Sequence, residues 1–296
     1  MGQVISKRKI IFHIDVNGTI ILFDSTDLNN VSEAIKEYIS KMVYGIVIDN
    51  KWTSNAAPFI EQGISFADYI KKLYSKDYKQ YLIQFTDLDE GKRFETIFTE
   101  MMSVYSEMIK NKQTIFQSFY NLMKEYPEAV FVFRTFGNDG EMIEKILGRT
   151  FIWFDSIIDE NGKRFMKRKS DNKAQTIKEF NNFLCTTTEM IIVKENYNYW
   201  NTTIIENEIK VDKPASRGKY IEEYVLKECF CKNPFCKTRT EKYEVIQIFF
   251  DDNNCVNKKG NHVYVQRVNP YLALCEPDYF VINAKKFIAI DNNSKN

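Results

Sequence analysis

Three apolar runs, each stopping on polar residues, constrain this chain more than anything else in it. Residues 10–15 read I-I-F-H-I-D, residues 129–135 read A-V-F-V-F-R-T, and residues 245–252 read V-I-Q-I-F-F-D-D. β-Branched and aromatic side chains fit a pleated, packed surface. Because apolar and polar residues do not alternate, both faces of these strands are expected to be buried, which is the condition of a parallel sheet covered on each side. Ligands of such sheets bind beyond the carboxyl ends of the strands. The groups that end the runs, Asp15, Thr135, Asp251 and Asp252, are therefore expected to meet in one site. Gly18, just past the first run, allows a tight turn or close backbone approach there.

Between the first two runs lies a long segment without a glycine-rich phosphate loop or a second carboxylate at a strand end. Its length makes it a module with its own structure, not a connecting loop. Residues 30–42 place Ile35, Tyr38, Ile39 and Met42 on one helical face, and residues 65–74 and 94–124 also read as helices. A mainly helical insertion over residues 25–126 follows, with the core made of residues 9–24 and 127–290. After the second strand a helix is expected over 140–147. Residues 150–158 and 190–193 both look like strands, with a helix near 174–183 between them, and either could be the third core strand. The basic run 163–173 is best read as a solvated hairpin or loop. Residues 218–227 read as a helix, 262–268 and 279–282 as strands, and 291–296 as a polar, disordered tail.

Lys and Arg total 41 against 40 Asp and Glu, a net charge of +1, so no global field draws the chain to nucleic acid, and none is expected as a partner. No apolar run reaches the length of a membrane span, and residues 1–9 lack the hydrophobic segment of a secretory signal. A cytoplasmic protein is the expectation. The first residues, M-G-Q-V-I-S, fit an N-myristoylation pattern on Gly2. Together with Lys7, Arg8 and Lys9, this would allow peripheral membrane contact through the N-terminus in a eukaryotic source.

The six cysteines are too sparse for a disulfide scaffold and are read as reduced thiols. Cys229, Cys231 and Cys236, with Cys255 or His262, could bind zinc in an interaction module, although ordinary thiols are the plainer reading. With only His13 and His262 present, a serine or cysteine nucleophile has little histidine to draw on. His13 is expected to pack within its strand.

D-V-N-G-T at 15–19, a threonine ending the next strand, a lysine before a helix, and F-F-D-D-N at 249–253 follow one another along the chain. This ordered set resembles the four motifs of the haloacid dehalogenase (HAD) superfamily. The resemblance implies a Rossmann-like, three-layer α/β core with a mainly parallel sheet, and a cap formed by the helical insertion. It further implies a Mg²⁺-dependent phosphohydrolase or phosphotransferase that works through an aspartyl-phosphate on Asp15, with a small phosphorylated substrate. Thr135 and Lys213, with Lys219 as the rival lysine, would hold the transferring group. Gly18, Thr19, Arg134, Phe136 and Gly137 would line the substrate, and Asp15, the Asn17 carbonyl, Asp251 and Asp252 would hold Mg²⁺. The chain departs from the family at Asn17, where phosphatases of this type carry the aspartate that acts as general acid and base. An amide cannot move that proton, and such help is worth about 10²- to 10⁴-fold. Either the substrate has a good leaving group, or another residue such as one from the cap supplies the proton, or the site is catalytically impaired and binds a phosphate ligand or a partner.

Overall fold

The computed structural model describes residues 7–23, 30–74, 76–135, 139–158, 164–195, 219–222, 243–252, 256–259 and 262–293. Gly2, Phe136, Gly137, Lys213, Cys229, Cys231, Cys236 and Cys255 lie outside the described residues. The chain divides into two compact units. One comprises Met1–Val16, Leu122–Val268 and Phe280–Asn296, the other Asn17–Asn121 and Asn269–Tyr279.

In chain order, β1 (Lys7–Asp15) is followed by α1 (Val31–Met42), β2 (Tyr44–Ile48), β3 (Lys51–Ser54), β4 (Ile64–Ser65), α2 (Phe66–Leu73), α3 (Tyr78–Leu82), α4 (Glu95–Lys110) and α5 (Gln117–Glu125). Then come β5 (Val130–Thr135), α6 (Asp139–Leu147), β6 (Ile152–Ile158), β7 (Arg164–Arg168), β8 (Ala174–Thr176), α7 (Ile177–Thr186) and β9 (Ile191–Lys194). The remainder is β10 (Lys219–Glu222), β11 (Tyr243–Asp251), β12 (Val256–Lys259), β13 (Val263–Arg267), α8 (Pro270–Cys275) and α9 (Tyr279–Asn293).

The first unit is built on an eight-stranded sheet in the order β13-β11-β1-β5-β9-β6-β7-β8. Every pair from β13 to β6 is parallel, and only β7, which pairs antiparallel with both β6 and β8, runs against the rest. Both candidate third strands are core strands: β9 lies beside β5, and β6 lies beside β9. The basic run forms β7, hairpin partner of β6. Arg168 lies over the rings of Phe154 and Phe183, and Lys169 over Trp153, so aromatic faces and water share the charge.

Strand alternation gives the sheet two different faces. One carries Phe12, Phe131 and Phe250, with Phe12 stacked on Phe131 at 5.3 Å and Phe280 of α9 edge-on to Phe250 at 5.0 Å. Burying each such ring is worth about 1.5–3 kcal/mol. The other face packs Ile11, Val130, Val132, Ile191 and Val193 with Phe180 and Leu184 of α7. Helices cover both faces, so the unit is a layered α/β domain of Rossmann-like class, as the uninterrupted apolar runs require.

Three expectations need correction here. Residues 279–282 are not a strand but the first turn of α9, because the apolar pattern continues with helical spacing through Phe280 and Ala284. The expected tail begins inside that helix: Asp291 is fully buried and accepts from Tyr264 Oη at 3.2 Å. Lys219 does not start a helix; it begins β10, which pairs with β12 in a small parallel sheet.

The second unit is less uniformly helical than expected. It contains a three-stranded antiparallel sheet, β3-β2-β4, whose hairpin turns through Asp49 and Asn50, both at positive φ. Residues 94–124 form two helices, α4 and α5, with Lys112 at φ +56° between them. Asn30 and Ser65 cap α1 and α2 by accepting from the amides of Glu33 and Asp68. An aromatic core of Trp52, Phe66, Phe85 and Phe94 joins these elements. The segment 269–279 belongs to this unit, where Tyr271 donates to Glu100 at 2.8 Å and Ser118 to the carbonyl of Ala273. None of the described helices is long and apolar enough to cross a membrane.

Candidate functional site

The register of the parallel strands decides what meets at their carboxyl edge. Ile14 lies opposite Phe250 and Asp15 opposite Arg134, so Asp15 and Asp251 end neighbouring strands at the same level. Residues level on adjacent strands share a face and lie close together. Asp252 follows at the bend. One carboxylate oxygen from each of Asp15, Asp251 and Asp252 lies within 4.8 Å of the others. Asp15 and Asp251 are 7 % and 2 % exposed, so their mutual repulsion is little screened by water.

Neighbouring backbone holds this edge in place. The amide of Val268 donates to the Asp251 carbonyl at 2.8 Å, and Arg267 Nε donates to the Asp252 carbonyl at 3.2 Å. The donor set is all oxygen, which suits a hard divalent cation such as Mg²⁺ better than a thiolate- or imidazole-seeking metal.

A buried polar layer lies behind the carboxylates on the same face. His13 precedes Asp15 by two residues, and its Nε2 pairs with Gln247 Oε1 at 3.0 Å. With that oxygen as acceptor, Nε2 carries the proton, and Nδ1 has no hydrogen-bond partner among the described residues. Burial, and after it the Arg134 charge, lower the His13 pKa to about 3, so the ring is neutral at ordinary pH. Arg134 donates through Nε to Glu195 Oε1 at 2.6 Å, and its Nη2 reaches the same oxygen. Thr135, at the end of β5, donates to Asp139 Oδ2 at 2.8 Å, and both are buried.

Of the residues singled out in the sequence, the structure brings Asp15, Asp251 and Asp252 together, and ends the neighbouring strand with Arg134 and Thr135. Asn17, Gly18 and Thr19 belong to the second unit. Gly18 takes φ +72° and donates to the Ile21 carbonyl at 2.8 Å, the tight turn expected of it. His262 pairs through Nδ1 with Asp291 Oδ1 at 2.5 Å. Of the cysteines, Cys185 and Cys275 fall among the described residues and are free thiols.

The sequence reading missed Glu195 and Asp139. The signal for Glu195 was present, since I-I-V-K-E is another apolar run ending on an acid. Asp139 stands four residues past Thr135 at the start of a helix, where a carboxylate is favoured by the helix dipole. No family model, no curated protein and no solved structure matches this chain.

Proposed function

We propose that this protein is a Mg²⁺-dependent phosphohydrolase or phosphotransferase of HAD type that acts through an aspartyl-phosphate on Asp15. The observation that carries the reading is the convergence of Asp15, Asp251 and Asp252 at the carboxyl edge of a parallel sheet. In this reading Asp15, Asp251 and Asp252 hold Mg²⁺, which when bound neutralises charge building up on the transferring phosphoryl group. An Asp15 carboxylate oxygen attacks phosphorus, the bond from phosphorus to the leaving oxygen breaks, and the leaving group departs with that electron pair. Water, or another acceptor, then attacks phosphorus and frees the carboxylate. Thr135 orients the phosphoryl oxygens, and Lys213, outside the described residues, is the lysine to which the motif order assigns the same task.

Asn17 cannot protonate a leaving oxygen, so the best substrates are acyl or aryl phosphates, whose leaving groups need no proton. Hydrolysis of an aryl phosphate with Mg²⁺ by the wild type, lost in a folded Asp15→Asn variant, is the expected result. Unchanged turnover in that variant would remove the mechanism. The competing reading is a phosphate-binding protein without turnover, and Asn17 is what motivates it. Activity in Asn17→Asp but not in the wild type would favour it, whereas activity in both supports the enzyme.

A further inference from the structure

The β2–β3 hairpin of the second unit carries apolar residues into solvent. Ile46, Val47 and Ile48 are 48 %, 46 % and 54 % exposed, although β2 is the central strand of its sheet. Successive strand residues point to opposite faces, so three exposed in a row means that both faces of the strand reach solvent there. Single exposed aliphatic residues are ordinary, but a contiguous group marks a contact surface.

The neighbouring helix extends the same tip. Trp52, opposite Val47 on β3, lies edge-on to Phe66 at 5.2 Å, so α2 packs under the inner face of the hairpin. Tyr69 donates to the carbonyl of Asn50, in the turn, at 2.7 Å, which brings α2 level with the tip. Lys72 and Leu73 fall one turn further along that face of the helix. Leu73 and Tyr74 are 50 % and 41 % exposed, and Tyr74 stacks on Tyr81 of α3 at 4.3 Å. Residues 46–54 and 66–82 carry five lysines, all exposed, against three aspartates. One of those aspartates, Asp68, accepts from Ser65 at the start of α2. Aliphatic side chains, tyrosines and an excess of positive charge therefore share one end of the hairpin and α2.

We propose that this tip docks the protein on an anionic lipid surface. A groove on a protein partner covers one face of a strand, whereas the headgroup layer of a bilayer receives a projecting tip from both faces. Ile46, Val47, Ile48 and Leu73 enter that layer, while the lysines bury their stems and keep their ammonium groups beside lipid phosphates. Tyr74 sits at the boundary, its ring in the apolar zone and its hydroxyl in water. Each basic residue at such a surface strengthens binding about fivefold, and salt weakens the effect. The apolar group is small beside an acyl chain, so the contact is reversible.

Co-sedimentation with vesicles tests the proposal, using chain made without any lipid on its N-terminus so that Gly2 contributes nothing. Binding is expected to vesicles of phosphatidylcholine with phosphatidylserine, at least about fivefold more weakly to phosphatidylcholine alone, and more weakly as salt rises from about 0.1 M to about 0.5 M. Ile46→Thr/Ile48→Thr keeps the β-branched shape that suits a strand and should lower affinity about tenfold. Lys51→Glu/Lys72→Glu should lower it about tenfold or more. Ile282→Ser, at a position 63 % exposed on α9 of the first unit, should bind as the wild type does. Circular dichroism checks folding, and Ile48→Trp gives a second reading if the threonine variant does not fold: its emission should move to the blue when anionic vesicles are added. A wild type that ignores anionic vesicles or binds neutral ones equally well overturns the proposal. So does undiminished binding by the folded threonine variant, an equal loss in Ile282→Ser, or unshifted emission in Ile48→Trp. Self-association that the threonine variant abolishes, without vesicle binding, assigns the tip to a second copy of the chain instead.

Discussion

His13 shows how far a single residue in a parallel sheet is governed by its neighbours. It ionises near 6.5 in an unfolded chain and near 3 in the folded one, because burial and the Arg134 charge disfavour the cation. Between those values the unfolded chain binds a proton that the folded chain refuses, so stability falls as pH drops from about 6.5 toward 3. The slope from this group is at most about 1.4 kcal/mol per pH unit. His13→Gln should flatten it, and urea midpoints at pH 7 and pH 5 measure the change; an unaltered slope would show that His13 is not the group responsible. The residues of the carboxylate cluster legible in the sequence were those that directly end an apolar run: Asp15, Asp251 and Asp252. Glu195 stood out less, because Lys194 separates it from a short apolar run. Asp139 was hidden because its pairing with Thr135 is made only by folding.

Elements were legible where a cap or a long period marked them. Asn30, Ser65 and Thr176 each accept from the amide three residues on, at the start of α1, α2 and α7. Thr176 forms a full capping box with Glu179, so Thr176→Ala should cost about 0.5–2 kcal/mol in chemical denaturation. No change would mean that α7 is held by packing alone. Elements were misread where the apolar stretch was too short to show a period. Tyr-Phe-Val-Ile at 279–282 suits a strand as well as a helix. The longer spacing of Phe280, Ala284, Phe287 and Asp291 is helical, and these residues are buried or packed on the sheet. The β2–β3 hairpin was missed because its turn uses Asp49 and Asn50 at φ +48° and +61° instead of the more familiar Asn-Gly. Asn50→Gly should therefore raise stability by up to about 1 kcal/mol, visible as a higher urea midpoint, whereas Asn50→Val should lower it.

For the molecule as a whole, a parallel sheet covered on both faces was implicit in three apolar runs, but the order and register of its strands were not. Register is what sets Asp15 level with Asp251, and long-range pairing of this kind is fixed only when the faces pack. The division at Asn17 and the inclusion of 269–279 in the second unit depend on tertiary contacts that leave no local pattern. A cation held by three carboxylates stabilises the folded state by mass action, about 2.7 kcal/mol at a hundred times the dissociation constant. Mg²⁺ should accordingly raise the melting temperature of the wild type by several degrees, and a chelator should reverse it. The Asp251→Asn/Asp252→Asn variant should show neither effect. A Mg²⁺ response equal to the wild type's would place the cation elsewhere. The central claim, that Asp15 accepts a phosphoryl group, is tested most directly by acid-quenching the protein with Mg²⁺ and an acyl phosphate, then locating the adduct by peptide mass spectrometry. A single phosphoryl group on Asp15, absent without Mg²⁺ and absent in Asp15→Asn, is the expected result; hydrolysis with no adduct there, or an adduct on another residue, would contradict it.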